Sequence, residues 1–202
     1  MDSLKFRFTK VLAWLAFGLC VAQVVLTLAS WLMTAAMPDV FMHSLLSAEG
    51  IRWFFGRFQD NLSSAVLVWL LLGSMAYGMV CKSGILHFDS SEYLQRISMR
   101  LVGLELLGFV AVMLSLTLLP HAILLNVMGG LFPSSFSQSL VPYCCLSVVV
   151  MCGSFGVMSG KLKGIPSIFA ALSHGIALGA PLFVVYVLAS QLYFSFLFFI
   201  SS

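Results

Sequence analysis

Glu105 is the one charged side chain set within a long apolar stretch of this sequence. A carboxylate in such a place could take up a proton or hold a cation, the chemistry that couples ion gradients to passage through a membrane. A plainer reading stands beside it: Glu105 follows Arg100 by five residues, about 7 Å along a helix, which makes it a structural acid near a membrane boundary. Gln191 is the second candidate. It could meet a substrate, or it could hydrogen-bond between helices, an interaction worth roughly 0.6 to 2 kcal/mol in lipid. Gln23 and Asn126 carry the same two readings. His43, His87, His121 and His174 lie far apart without HxxxH spacing. Cys20, Cys81, Cys144, Cys145 and Cys152 sit in or at the end of apolar runs without CxxC spacing, as small hydrophobes do. Neither a metal nor any other cofactor is expected. No Ser/His, Asp/Asp or metal constellation falls within the apolar stretches, so no enzyme is expected.

The elements that must position these residues follow from composition. The 202 residues are 61% hydrophobic and 8% charged, whereas ordinary soluble domains run near a quarter charged. Such a chain belongs in a lipid bilayer, and at about 20 residues per crossing it has room for at most about seven spans. Ten Lys and Arg against seven Asp and Glu give a net charge of +3, too small and dispersed for a nucleic-acid surface. The fold class is therefore all-α: a polytopic integral membrane helical bundle forming a single transmembrane domain over residues 1–202.

Apolar runs place five spans at about residues 11–37, 62–80, 101–119, 140–158 and 176–200. The first run is too long for a cleaved signal core and reads as an uncleaved anchor. An interfacial helix is expected at 47–58, with Ser47 as N-cap and Ile51, Phe54, Phe55 and Phe58 at helical spacing. Asp89, Ser90 and Ser91 offer caps for a helix beginning near Glu92. Gly175, Gly179 and Pro181 punctuate the last stretch, which predicts an interfacial helix at 166–174 feeding the final span, or else one sharply kinked helix. Gly153, Gly156, Gly175 and Gly179 offer small faces for close helix packing.

Cations set the orientation, because cytoplasmic loops retain Lys and Arg. Lys5, Arg7, Lys10, Lys82, Arg96, Arg100, Lys161 and Lys163 fall on one side of a five-span arrangement, and only Arg52 and Arg57 on the other. The expected setting is an inner cell membrane, with the N-terminus cytoplasmic and the C-terminus outside.

The run from Ser44 through Gly50, Ile51, Arg52, Trp53 and Phe54, followed by Asp60-Asn61 and then Gly73, Gly78 and Lys82-Ser83-Gly84-Ile85, resembles the AbgT family of p-aminobenzoyl-glutamate transporters. Phe132-Pro133-Ser134-Ser135-Phe136 and Leu140-Val141-Pro142 are similar to that family's Ser-Pro-Phe and Ile-Val-Pro elements. Gly153, Gly156, Ser159-Gly160-Lys161-Leu162-Lys163 and Ala189-Ser190-Gln191 follow in family order. Cys81 departs from the pattern, standing where the family has an acidic residue. The resemblance implies secondary transport of aromatic carboxylates or drugs by a homodimer. It also implies that members exceed twice this length and carry two re-entrant hairpins, for which this sequence has no counterpart. Two expectations follow. The first is an AbgT-like protein with transport as its inherited function. The second is a transport-inactive scaffold or accessory subunit that retains the dimerisation core. The expected partners are the bilayer, and a second copy or another membrane protein.

Overall fold

In a computed structural model the described residues, 2–37, 44–89, 91–118 and 135–201, are almost entirely helical and contain no strand. Helix α1 spans Asp2–Ala36, α2 Ala48–Gly56, α3 Phe58–Leu62, α4 Ala65–Ser83, α5 Tyr93–Leu118, α6 Ser135–Met158 and α7 Ile165–Ile200. A single 3₁₀ turn covers Ile85–His87. His43, Ser90, His121, Asn126 and the segment Phe132-Pro133-Ser134 lie outside the described residues.

Five of these helices are long and apolar enough to cross a membrane. Their surfaces show why water is not the solvent. Trp14, Leu32, Leu107 and Phe169 are 66%, 62%, 69% and 71% exposed, while Ser30, Ser83, Ser98 and Ser195 are fully buried. Large apolar side chains outside and small hydroxyls inside is the arrangement of helices packed in lipid, where burial of apolar surface brings helices no advantage and close backbone approach does. The fold is an all-α fold of membrane type.

Helix ends follow local chemistry. Ser47 caps α2 by accepting from the Gly50 amide at 3.0 Å, as its position predicts. Gly84 ends α4 in the left-handed region at φ 79°, the usual glycine stop. Ahead of α5, the Asp89 carboxylate accepts from the Ser91 amide at 2.9 Å and the Asp89 amide donates to Gln95 Oε1 at 2.8 Å. The Ser91 amide bond holds the Asp89 carboxyl below the ordinary aspartate range.

The last apolar stretch differs from the two-element expectation: residues 165–200 form one continuous helix, with no separate element at 166–174. Pro166 stands in the first turn, where its missing N–H costs nothing. Pro181, inside the helix, frees only the Ala177 carbonyl. Breaking the helix in lipid would expose several unpaired backbone groups at several kcal/mol each. At 36 residues, or roughly 54 Å, α7 exceeds the hydrocarbon core of about 30 Å.

The chain forms two compact units. One comprises Met1–Leu67 with Ala180–Ser202 and the other Val68–Gly179. In the second, Met79, Cys152, Leu162 and Ala171 make the core, backed by Val80, Ile85, Val148, Val149, Ile168 and Leu172. A Cβ on Gly78 would collide with the Ala171 carbonyl and come 2.6 Å from Gly175 Cα, so α4 and α7 touch there backbone to backbone.

Candidate functional site

In the unit made of Met1–Leu67 and Ala180–Ser202, a polar seam runs along the C-terminal half of α7. Tyr186, Ser190 and Phe194 recur every fourth residue, which sets them on one helix face. The Tyr186 hydroxyl donates to the Leu62 carbonyl at 3.0 Å and shares a 2.7 Å hydrogen bond with Ser64 Oγ. Ser190 Oγ donates to the Asn61 carbonyl at 2.8 Å. On the neighbouring face Ser195 Oγ accepts from Gln23 Nε2 of α1 at 3.0 Å, and two turns further along α1 Ser30 Oγ accepts from the Leu45 backbone N–H at 3.1 Å. These bonds satisfy the backbone where the chain leaves α3 and where it enters α2.

Asn61 and Gln191 are each 5% exposed. Asn61 Nδ2, both amide atoms of Gln191 and Gln23 Oε1 are buried without a hydrogen-bond partner. Burying an amide unpaired costs on the order of 1–3 kcal/mol, so this unit stores polar groups that its own fold does not use. Around Asn61 opens a cavity of about 520 Å³, walled by Trp53, Arg57 and Asp60 on one side and Phe194, Leu197, Phe198 and Ser201 on the other.

Glu105 belongs to the other unit. Its Oε1 accepts from Ser154 Oγ at 2.6 Å, and its Oε2 is buried without a partner. Ser154 lies four residues before the end of α6 at Met158, about one turn inside the helix end. The pair therefore joins the middle of α5, where Glu105 stands, to the last turns of α6. One carboxylate oxygen is left over.

Several of the sequence motif positions are fasteners. Gly50 packs so closely on the Ser44-Leu45 backbone that a Cβ there would lie 2.7 Å from Leu45 Cα. Trp53 stacks on Phe198 at 4.4 Å. Ser83 is fully buried at the end of α4, while Arg52 and Lys82 are exposed. Gly84 accepts from Lys161 Nζ at 3.4 Å. Pro142 lies inside α6, and the next residue, Tyr143, donates to the Phe109 carbonyl at 2.7 Å. His87 and His174 belong to the 3₁₀ turn and to α7, and no group of His, Cys, Asp or Glu among the described residues could hold a metal.

Comparison with protein-family models, curated proteins and solved structures gave no match. The structure therefore draws the site from this chain alone. It brings Trp53 and Asn61 to one cavity and leaves Glu105 and Pro142 in the other unit. Ser154, Tyr186, Ser195 and Phe198 escaped sequence reasoning as site residues. The four-residue spacing of Tyr186, Ser190 and Phe194, and of Gln191 and Ser195, was the available signal.

Proposed function

We propose that this is an AbgT-like integral membrane protein of the secondary-transport class, whose helices supply scaffold for the movement of aromatic carboxylates resembling p-aminobenzoyl-glutamate. One observation carries the reading: the motif positions act as joints. Gly50, Trp53, Ser83 and Gly84 are spent on close backbone approach, ring stacking, burial and ending a helix. Positions that join helices suit a protein whose job is to hold a partner or a second copy in place. In mild detergent the protein is expected to run as a homodimer or with a copurifying membrane protein. A clean monomer with no partner sinks the scaffold reading.

A second reading, transport by this chain itself, is favoured by the unpaired Oε2 of Glu105, an acceptor available to a proton or cation. Uptake of p-aminobenzoyl-glutamate into proteoliposomes under proton and sodium gradients separates the two: flux at the control level in folded protein removes the second.

The orientation in the inner membrane is N-terminus cytoplasmic and C-terminus outside. It is supported by the cation bias and by the Lys161–Gly84 bond, which sets two of the cation-bearing loops side by side. In intact cells a single cysteine at position 57 should react with an impermeant thiol reagent, and one at position 163 should not. The reverse pattern rejects this orientation.

A further inference from the structure

The cavity beside Asn61 is not explained by packing. Its volume of about 520 Å³ falls within the roughly 300–1,000 Å³ of small-ligand sites. Two charged side chains of opposite sign stand on one wall, Arg57 and Asp60, both exposed. Neither side chain makes a hydrogen bond or ion pair among the described residues. The Asn61 backbone N–H donates to the Arg57 carbonyl at 2.9 Å, so the wall has helical spacing, and side chains three positions apart have Cβ atoms about 5–6 Å from each other. The opposite wall is aromatic and apolar, with Phe198 stacked under Trp53. In the same helices, Phe55 of α2 and Ile200 of α7 are 74% and 51% exposed, and Leu197 of the wall is 43% exposed.

We propose that this cavity binds the phosphoethanolamine headgroup of a membrane phospholipid. The Arg57 guanidinium takes the phosphate through charge-assisted hydrogen bonds. The Asp60 carboxylate accepts from the primary ammonium, which the short ethanolamine bridge keeps close to the phosphate. Asn61 Nδ2, buried and without an acceptor, donates to a phosphate or ester oxygen. Trp53 and Phe198 meet the glycerol region, where amphipathic rings settle at a bilayer surface, and the acyl chains run over the exposed apolar side chains. Asp60 disfavours purely anionic headgroups by like charge. A quaternary choline has no N–H to give it. The proposal rests on the membrane setting of the helices, independent of any transport role.

The test is lipid retention. The full-length protein is released from nanodiscs containing equal phosphatidylethanolamine, phosphatidylglycerol and phosphatidylcholine, and bound lipids are read by native mass spectrometry. Phosphatidylethanolamine should dominate the adducts, Arg57→Gln should weaken its retention about tenfold, and Asp60→Asn should bring phosphatidylglycerol to parity. Arg57→Lys, which keeps the charge, should retain an intermediate amount, and the helical circular dichroism of each variant shows that it is folded. Equal retention of the three lipids by the unaltered protein overturns the proposal, as does an unchanged profile in both charge variants. Soluble O-phosphoethanolamine should raise the melting temperature less than the lipid does. Equal protection assigns the cavity to a free headgroup and overturns the lipid.

Discussion

The indole of Trp53 lies nearly flat on the ring of Phe198, with centroids 4.4 Å apart and planes 21° from parallel. This contact closes α2 onto the last turns of α7. An aromatic pair of this kind contributes about 0.5–1.5 kcal/mol beyond the area it buries. Trp53→Ala should therefore lower the melting temperature in detergent clearly, and Phe55→Ala, at a 74% exposed position, should lower it less. Equal effects would mean that the stack contributes nothing of its own.

Backbone contact between α4 and α7 makes a sharper prediction. A Cβ on Gly175 would strike the Ser74 carbonyl and stand 2.8 Å from the Gly78 amide. Gly175→Ala should destabilise by about 1–3 kcal/mol or more, the cost of overpacking. Gly73, in the same helix as Gly78, has nothing within 4 Å of such a Cβ. Gly73→Ala should be stabilising by about 0.4–1 kcal/mol. Thermal unfolding of the two variants decides it, and the close crossing is refuted by a Gly175→Ala protein as stable as the parent.

For Glu105 the expected outcome is an energetic coupling to Ser154. A hydrogen bond to a charged group is worth about 1.5–3 kcal/mol, and both partners are half-buried. Ser154→Ala should destabilise by an amount in or below that range, Glu105→Gln by less, because an amide oxygen still accepts. A double-mutant cycle should show non-additivity. Where uptake is seen, flux unchanged in Glu105→Gln removes Glu105 from transport.

Adjacent residues on α7 should respond with opposite signs. Ser190 donates to the Asn61 carbonyl, and Ser190→Ala should cost about 1 kcal/mol. Gln191 keeps both amide atoms buried and unpaired, so Gln191→Leu should be neutral or stabilising to unfolding. Strong destabilisation by Gln191→Leu would show that its amide has a partner in the membrane.

The loop before α5 carries the pH dependence. Its Asp89 carboxyl is lowered by the Ser91 amide bond. A carboxyl held lower in the folded protein than in the unfolded chain stabilises above the unfolded value, and that stabilisation is lost as pH falls through the folded value. The Asp89 side chain should titrate by NMR with a midpoint below that of free aspartate, and the start of α5 should loosen in the same window. A midpoint at or above the free value excludes the Ser91 contact.

Much of the fold was legible because apolar run length is a direct physical requirement of the bilayer. The Ser47 cap was legible too, since a serine before an apolar periodic run has few other uses. Pro181 and the glycines misled. They signal a break in water, but in lipid an unbroken α7 keeps nearly every backbone group paired. The candidate site was less legible. Glu105 could be named from its type and position, and Trp53 and Asn61 from the family resemblance, but Ser154 and Phe198 could not be named as their partners.

The sequence by itself determined an all-α fold of membrane type with five helices long and apolar enough to cross a bilayer, because a long uncharged run is what a bilayer crossing requires. Tertiary structure alone decided which hydroxyl meets Glu105, that Gly175 rests on Gly78, and that Asn61 borders a cavity with opposed charges. These helices are apolar all round, so periodicity marks no single inward face. Partners are chosen by how closely two backbones can approach and where a small or polar side chain happens to fall, and that is settled only when the helices have packed.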